Sequence, residues 1–87
     1  MNAHVTPEVL LYGREGCHLC EEARESLLAM RGSPAAFELR EVDIDSDDAL
    51  LAAYLERIPV VEAGGEVVSE LALDRDAVRA KLDTLMS

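Results

Sequence analysis

The chain has 87 residues, with 18 acidic and 8 basic side chains and a formal net charge of −10. Hydrophobic residues make up 49% of it, which argues against disorder, and the length fits one small domain spanning residues 1–87. Because a strongly acidic surface repels phosphate groups, we expect no binding to nucleic acid or to anionic membranes.

No apolar run is long enough to span a bilayer, and residues 1–8 lack the basic and apolar segments of a secretory signal. We therefore expect a cytoplasmic location, no membrane contact and a flexible N-terminus over residues 1–7. Cytoplasmic thiols are usually reduced, so the two cysteines of the chain predict a catalytic or metal-binding pair rather than a structural disulfide.

The first two predicted elements are a buried strand and an amphipathic helix. Residues 9–12 are apolar without alternation, which is typical of a central strand covered on both faces. A turn containing Gly13 and Gly16 follows. Gly32 and Pro34 mark the expected end of the helix, whose inner face carries apolar side chains at helical spacing: Leu19, Ala23, Leu27 and Met30.

A second strand is predicted over residues 36–44, but its apolar side chains fall in two phases. Either a bulge near Arg40 and Glu41 or burial on both faces at one end of the strand accounts for the change. The next helix is expected to begin in the acidic segment 45–48, with Ser46 accepting hydrogen bonds from its first-turn amides.

The last third of the chain predicts a hairpin and a closing helix. Gly64 and Gly65 separate two short β-branched runs, which is a strong hairpin signal, and Asp74 is the expected cap of the final helix. The element order is therefore β-α-β-α-β-β-α. Because a β-α-β crossover is right-handed and joins parallel strands, we predict an α/β fold with a four-stranded mixed sheet and helices on both faces.

The two cysteines, Cys17 and Cys20, lie three residues apart where the first helix is expected to begin. Two thiols at this spacing can close a small disulfide ring and open it again. A thiolate at Cys17 gains from the free N–H groups and the positive dipole end of the helix, and thiols so placed ionise at pH values of roughly 3.5–7.5. This arrangement suits thiol–disulfide chemistry.

The order of elements resembles the thioredoxin fold, and at this length the chain is similar to a glutaredoxin-like protein. The resemblance covers roughly residues 8–86 and is carried by the strand before the Cys-x-x-Cys motif and by Ile58-Pro59 at the hairpin start. It implies that the Ile58-Pro59 bond is cis and lies against the cysteines, and that the Ile58 backbone pairs with an extended substrate segment. Leu19, Ile58 and Pro59 would then shape the substrate groove.

The position of each cysteine predicts its role. Cys17 is expected to be the exposed nucleophile that attacks a substrate disulfide, and Cys20, one helical turn further in, the buried thiol that resolves the mixed disulfide. Arg14 and His18 are the residues predicted to tune the Cys17 thiolate by their positive charge.

Two features depart from the usual glutaredoxin pattern. Glutaredoxins usually carry proline and an aromatic residue between the cysteines, where this chain has His18 and Leu19. Glutathione-using members share a Gly-Gly pair and an acidic residue before the last helix, whereas residues 69–74 of this chain hold no glycine.

We predict a dithiol–disulfide oxidoreductase that needs no bound cofactor or metal, with glutathione or a reductase as the electron donor. Its expected partner is a disulfide-containing protein or a glutathione mixed disulfide. Two other functions stay open, a non-catalytic thioredoxin-like binding module and a metal- or cluster-handling protein. A structural zinc needs four ligands, and the chain offers two sulfurs, His18 and a distant His4, so a metal would have to be shared between two chains.

Overall fold

The computed structural model describes residues 6–31 and 36–86. It contains strands and α-helices in the predicted order: β1 (Glu8–Gly13), α1 (His18–Met30), β2 (Glu38–Asp43), α2 (Asp48–Tyr54), β3 (Val60–Ala63), β4 (Glu66–Glu70) and α3 (Arg75–Met86). A 3₁₀ turn at Ile44–Ser46 joins β2 to α2. The helix stop predicted at Gly32 and Pro34, and residues 1–5 of the predicted flexible N-terminus, lie outside the described residues.

The strands form one mixed sheet in the order β2-β1-β3-β4. β1 pairs in parallel with β2 and antiparallel with β3, and β3 and β4 form the predicted hairpin. This is the α/β fold class expected from the sequence, with β1 as an inner strand. In this topology β1, β2 and β4 finish, and β3 starts, at the same end of the sheet, where α1 and α3 also begin.

The hydrophobic core lies on one face of the sheet, beneath α1 and α3. Because side chains alternate along a strand, Val9 and Leu11 of β1 share this face with Val61 and Ala63 of β3. They pack against buried side chains of the helices and of the segment before β2: Ala23, Leu27, Met30, Phe37, Val78 and Leu82. Full burial of one such Leu, Val or Phe side chain stabilises the fold by about 1.5–3 kcal/mol.

The opposite face of the sheet carries α2, and none of the described residues in this short helix is fully buried. β2 contains no bulge over its described residues 38–43, since it pairs with β1 in unbroken register. Leu39 and Val42 are half-buried and, by alternation, point to opposite faces. Apolar contact on both faces, the second of the two predicted alternatives, therefore accounts for the change of phase.

Ser46 does not cap α2, contrary to the prediction. Its hydroxyl donates to the Asp43 carbonyl oxygen at 2.6 Å, within the 3₁₀ turn. The cap is Asp47, whose carboxylate accepts from the Ala49 backbone N–H at 2.7 Å. The prediction was wrong because the 3₁₀ turn uses Ser46 and moves the helix start to Asp48.

The hairpin loop and the last helix agree with the sequence. Gly64 and Gly65 have φ values of +61° and +81°, the left-handed backbone that a two-residue hairpin loop of this type requires. Asp74 caps α3 by accepting from the Ala77 backbone N–H at 3.0 Å. Within the described residues, no helix combines the length and the apolar character needed to cross a membrane.

Candidate functional site

The two cysteines lie at the N-terminus of α1 and are joined by a disulfide bond, with their Cα atoms 5.2 Å apart. Cys17 is the N-cap residue, in extended backbone conformation (φ −90°, ψ 107°), and its Sγ accepts a hydrogen bond from the Cys20 backbone N–H at 3.1 Å. Cys17 is half-buried, whereas Cys20 is only 8% exposed. The residue predicted to be the nucleophile is therefore the more accessible of the two.

The turn before α1 fixes how Cys17 meets the helix. The Cys17 N–H donates to the Arg14 carbonyl oxygen at 3.3 Å and closes a turn over residues 14–17. Gly16 has φ +81° in this turn, a left-handed conformation that costs other residues roughly 1–2 kcal/mol. Because the first amides of a helix have no intrahelical acceptor, this geometry favours negative charge on the Cys17 sulfur.

Gly13, the last residue of β1, lies directly beside Cys20. A Cβ atom at Gly13 would lie 3.0 Å from Cys20 Sγ and 3.1 Å from Cys20 Cβ, closer than side chains normally approach. The glycine therefore lets the strand end come close to the inner sulfur. The sequence predicts Gly13 only as a turn residue; the signal for this second role is a glycine at a strand end just before a two-cysteine helix start.

The Ile58-Pro59 peptide bond is cis, as the resemblance implied. The antiparallel register of β1 and β3 carries Pro59 opposite Gly13, at the end of the sheet that holds the disulfide. Pro59 is fully buried and Ile58 half-buried. The Ile58 N–H donates to the Tyr54 carbonyl oxygen at 3.0 Å, so this N–H is already engaged, and pairing of the Ile58 backbone with an extended substrate segment stays a prediction.

Each of the two predicted thiolate-tuning residues is paired with a carboxylate. Arg14 lies 3.1 Å from Asp45 at the start of the α2 connection. His18 Nε2 lies 3.0 Å from Glu22 Oε2 one turn along α1, and 83% of its side chain is exposed. Both residues are close to Cys17 along the chain, but each contacts an acid, and their influence on the thiolate stays a prediction.

Large apolar side chains are exposed at the end of the sheet that holds the disulfide, among them Leu19 and Leu71. Leu19, between the two cysteines, is 44% exposed, so it does not lie on the buried face of α1 as its apolar spacing predicted; Cys20 takes that position. Leu71, which follows β4, is 51% exposed. Leu71 has φ +60°, an unusual conformation for a leucine, and its N–H donates to the Arg57 carbonyl oxygen at 3.0 Å. Since β4 finishes at the end of the sheet where α1 begins, both leucines lie at that end.

A cleft of about 320 Å³ opens on the other side of the inner cysteine, between α1 and β2. Leu11, Gly13 and Cys20 line its inner part. Arg24 and Glu41 lie at its rim and form an ion pair at 2.9 Å, which raises the pKa of Arg24. The cleft therefore reaches Cys20 from the side away from Pro59.

A chain of polar and aromatic contacts ties the loop before Pro59 to the sheet. The Tyr12 hydroxyl donates to Glu62 at 2.6 Å, and this bond together with burial raises the pKa of Tyr12 to about 12. The Tyr12 ring packs against Tyr54, with centroids 4.9 Å apart, and Arg57 lies over the Tyr54 ring at 5.2 Å. The Arg57 guanidinium also pairs with Glu70, which raises the pKa of Arg57 and lowers that of Glu70.

A family model described as Glutaredoxin-like domain (DUF836) matches residues 8–83. The chain belongs to this glutaredoxin-like family. The match includes both cysteines, the Ile58-Pro59 bond and every strand of the sheet.

Solved structures agree with this assignment. The glutaredoxin-like chain is 37% identical to protein Ne2328 from Nitrosomonas europaea, with a TM-score of 0.77 over 92% of this chain and 96% of that one. It is 36% identical to protein XcR50 from X. campestris, with a TM-score of 0.70 over 87% and 96%. A glutaredoxin from Brucella melitensis is 28% identical, with a TM-score of 0.57 over 97% and 91%. Among curated proteins, none matches the chain.

The described part of this glutaredoxin-like protein does not bring together three or more histidine, cysteine or carboxylate side chains in a way that could hold a metal ion. His18 is directed to Glu22, and the predicted second histidine, His4, lies outside the described residues. At the disulfide, the described residues place two sulfurs at a helix N-terminus, one accessible and one beside Gly13.

Proposed function

We propose that this glutaredoxin-like protein is a dithiol–disulfide oxidoreductase in which Cys17 attacks the substrate and Cys20 resolves the intermediate. The observation that carries the proposal is the Cys17–Cys20 bond at the start of α1, with the more accessible sulfur at the N-cap and accepting an amide hydrogen bond. Membership of the glutaredoxin-like family supports a redox capacity of the pair.

The exchange starts from the dithiol form. The Cys17 thiolate attacks one sulfur of a substrate disulfide; a Cys17–substrate bond forms, the substrate S–S bond breaks, and the other sulfur leaves as a thiolate that takes a proton from solvent. Cys20 loses its proton to solvent and attacks Cys17 Sγ, which breaks the mixed disulfide and releases the second substrate thiol. Two electrons pass to the substrate, and the protein returns to the disulfide form.

Other residues have supporting roles in this proposal. Arg14 and His18 adjust the charge felt by the Cys17 thiolate, each from beside its own carboxylate. Leu19, Ile58 and Pro59 form the groove that receives the substrate. The exchange needs no bound cofactor, because glutathione or a reductase returns two electrons to the disulfide. A cytoplasmic location, where reduced thiols prevail, belongs to the same proposal.

Single cysteine variants test the two roles. With hydroxyethyl disulfide as a small uncharged substrate, we expect Cys17→Ser to abolish exchange, because no other thiolate is accessible. We expect Cys20→Ser to accumulate a mixed disulfide between Cys17 and the substrate, because the resolving thiol is absent. Mass spectrometry of the acid-quenched protein detects the adduct, and turnover is followed by the thiol released.

The pH dependence of alkylation provides a second test with the Cys20→Ser variant, which leaves one thiol in the chain. We expect iodoacetamide to modify Cys17 at a pH below the value near 8.5 at which a free cysteine titrates, since the helix N-terminus favours the thiolate. The unfolded protein is the control. Full exchange activity in Cys17→Ser would refute the roles, and an inert wild type would leave a binding module as the function.

A further inference from the structure

The end of the sheet that holds the disulfide is strongly acidic. Four described segments meet there: residues 13–22, 43–48, 55–59 and 70–76. Together these segments hold eleven carboxylates and three arginines. Their excess of negative charge accounts for most of the net charge of the chain, so this charge is concentrated at the end of the sheet that holds the disulfide rather than spread evenly.

Two of the three arginines at this end form ion pairs with carboxylates of the chain. Arg14 pairs with Asp45 at 3.1 Å. Arg57 pairs with Glu70 and lies over the Tyr54 ring at 5.2 Å, so its guanidinium is engaged by an anion on one side and by an aromatic face on the other. A negatively charged substrate would have to compete with Glu70 for this cation.

Glu70 lies two strands away from β1, the strand that leads to the disulfide. In the register of the sheet, Glu70 lies opposite Val60 at the start of β3, and Val60 lies opposite Tyr12, the residue before Gly13. Two strand spacings separate Glu70 from β1, which is about 10 Å. This is comparable with the Debye length of about 8 Å at physiological ionic strength. Glu70 therefore acts on the charges of a substrate segment that extends from the disulfide along this end of the sheet, and it acts more strongly in low salt.

We propose that this glutaredoxin-like protein selects disulfides in positively charged polypeptide segments, and that Glu70 is a specificity-determining residue because it neutralises Arg57. The inference rests on the proposed function and names its substrate class. Charge complementarity with the acidic end of the sheet attracts Lys- and Arg-rich segments and disfavours anionic disulfides. The exposed side chains of Leu19 and Leu71 offer apolar contact to the flanking residues of such a segment.

Three synthetic peptides test the substrate class on the wild-type protein. All contain the same two-cysteine disulfide ring, which is flanked by lysines in the first, serines in the second and glutamates in the third. We expect the rate of reduction by the dithiol protein to fall in the order Lys, Ser, Glu at low ionic strength. Added NaCl should slow reduction of the Lys peptide, speed that of the Glu peptide and leave the Ser peptide unchanged.

A matched pair of variants tests Glu70 itself. Glu70→Gln leaves Arg57 without its carboxylate partner. We expect the ratio of Lys-peptide to Glu-peptide rates to fall roughly fourfold at low salt for each flanking position at which lysine replaces glutamate, from Coulomb's law in water over about 10 Å. Glu66→Gln is the control. Glu66 is also an ion-paired glutamate on β4, but its partner is Lys81 and it lies at the other end of the strand, so the ratio should not change.

Each outcome has one consequence. Equal rates for the three peptides, or a salt response that ignores their charge, would overturn the inference while the serine peptide still reports the proposed exchange. A ratio that changes equally in Glu66→Gln and Glu70→Gln would contradict the role of Glu70. Failure to reduce even the serine peptide would instead remove the proposed function. Iodoacetamide reactivity of Cys17 in each variant verifies that the nucleophile itself is unaltered.

Discussion

At the scale of single residues, the site depends on how closely backbone and sulfur approach. Cys17 Sγ accepts a hydrogen bond from the Cys20 backbone N–H because Cys17 is the N-cap residue, and that position follows from the local sequence. The inner sulfur needs in addition an empty position at Gly13, where a Cβ would lie 3.0 Å away. Gly13 is thus a positioning residue for the disulfide, although it carries no chemical group of its own.

We expect Gly13→Ala to destabilise the oxidised protein by about 1–3 kcal/mol, because the added methyl group overpacks against Cys20. Denaturant unfolding measures the loss. The variant should also shift the Cys17–Cys20 equilibrium in glutathione redox buffers. Gly65→Ala is the control: a Cβ there meets nothing within 4 Å, so it carries a backbone cost from φ +81° and should leave the redox equilibrium unchanged. An unchanged equilibrium in Gly13→Ala would refute the positioning role.

At the scale of secondary-structure elements, α2 is the weakly anchored part of the fold. None of its described residues is fully buried, and it is held to the sheet through Tyr54, which packs on Tyr12 of β1. Tyr12 in turn donates to Glu62 of β3, and Arg57 joins the following loop to β4. These contacts hold the segment that leads into Pro59, so they connect the position of α2 to the geometry of the site.

Removing the Tyr12 hydroxyl should loosen this connection. We expect Tyr12→Phe to lower the free energy of unfolding at pH 7 by about 1 kcal/mol, the usual net value of one hydrogen bond. Tyr54→Phe, which keeps the ring contact, is the matched control and should cost less. Equal losses in the two variants would show that the bond to Glu62 contributes nothing measurable.

The hydrogen bond between Tyr12 and Glu62 also makes the stability of the fold depend on pH. The pKa of Tyr12 is raised from 10.0 to about 12 in the folded protein, so the unfolded chain loses this proton first. The Tyr12–Glu62 hydrogen bond makes its full contribution to the free energy of unfolding below pH 10, and this contribution declines between pH 10 and about pH 12. We expect the stability difference between wild type and Tyr12→Phe to shrink over this range. A phenolate absorbance titration should show that the step near pH 12 is absent from the variant.

At the scale of the whole molecule, charge is distributed unevenly. The excess of 18 acidic over 8 basic side chains is concentrated where the strands β1, β2 and β4 finish. Described ion pairs such as Arg14–Asp45 and Arg24–Glu41 offset part of the repulsion, but surface pairs of this kind are worth only about 0–1 kcal/mol each. Repulsion among unpaired carboxylates is therefore expected to oppose folding.

We expect NaCl to stabilise this protein, because screening relieves that repulsion by more than it weakens the ion pairs. The urea midpoint at pH 7 should rise between about 10 mM and about 300 mM NaCl, a range over which the Debye length falls from roughly 30 Å to below 8 Å. A variant with several acids of segment 43–48 changed to their amides should respond less. A midpoint that falls with salt would mean that the ion pairs outweigh the repulsion.

Local sequence patterns determined the elements and their order. The apolar run of β1, the helical spacing of α1 and the two hairpin glycines each depend on neighbours in the chain, so they could be interpreted without tertiary contacts. The position of Cys17 at a helix start followed from the same evidence. The cis state of the Ile58-Pro59 bond followed from the family resemblance rather than from the residues alone.

Only the tertiary structure decided which distant groups meet. Strand order brought Glu70 and Arg57 to the end of the sheet that holds the disulfide, and placed Gly13 beside the inner sulfur. It also placed Arg14 beside Asp45. Ion pairs and close approaches depend on through-space distances of a few ångströms, and sequence separation does not encode those distances.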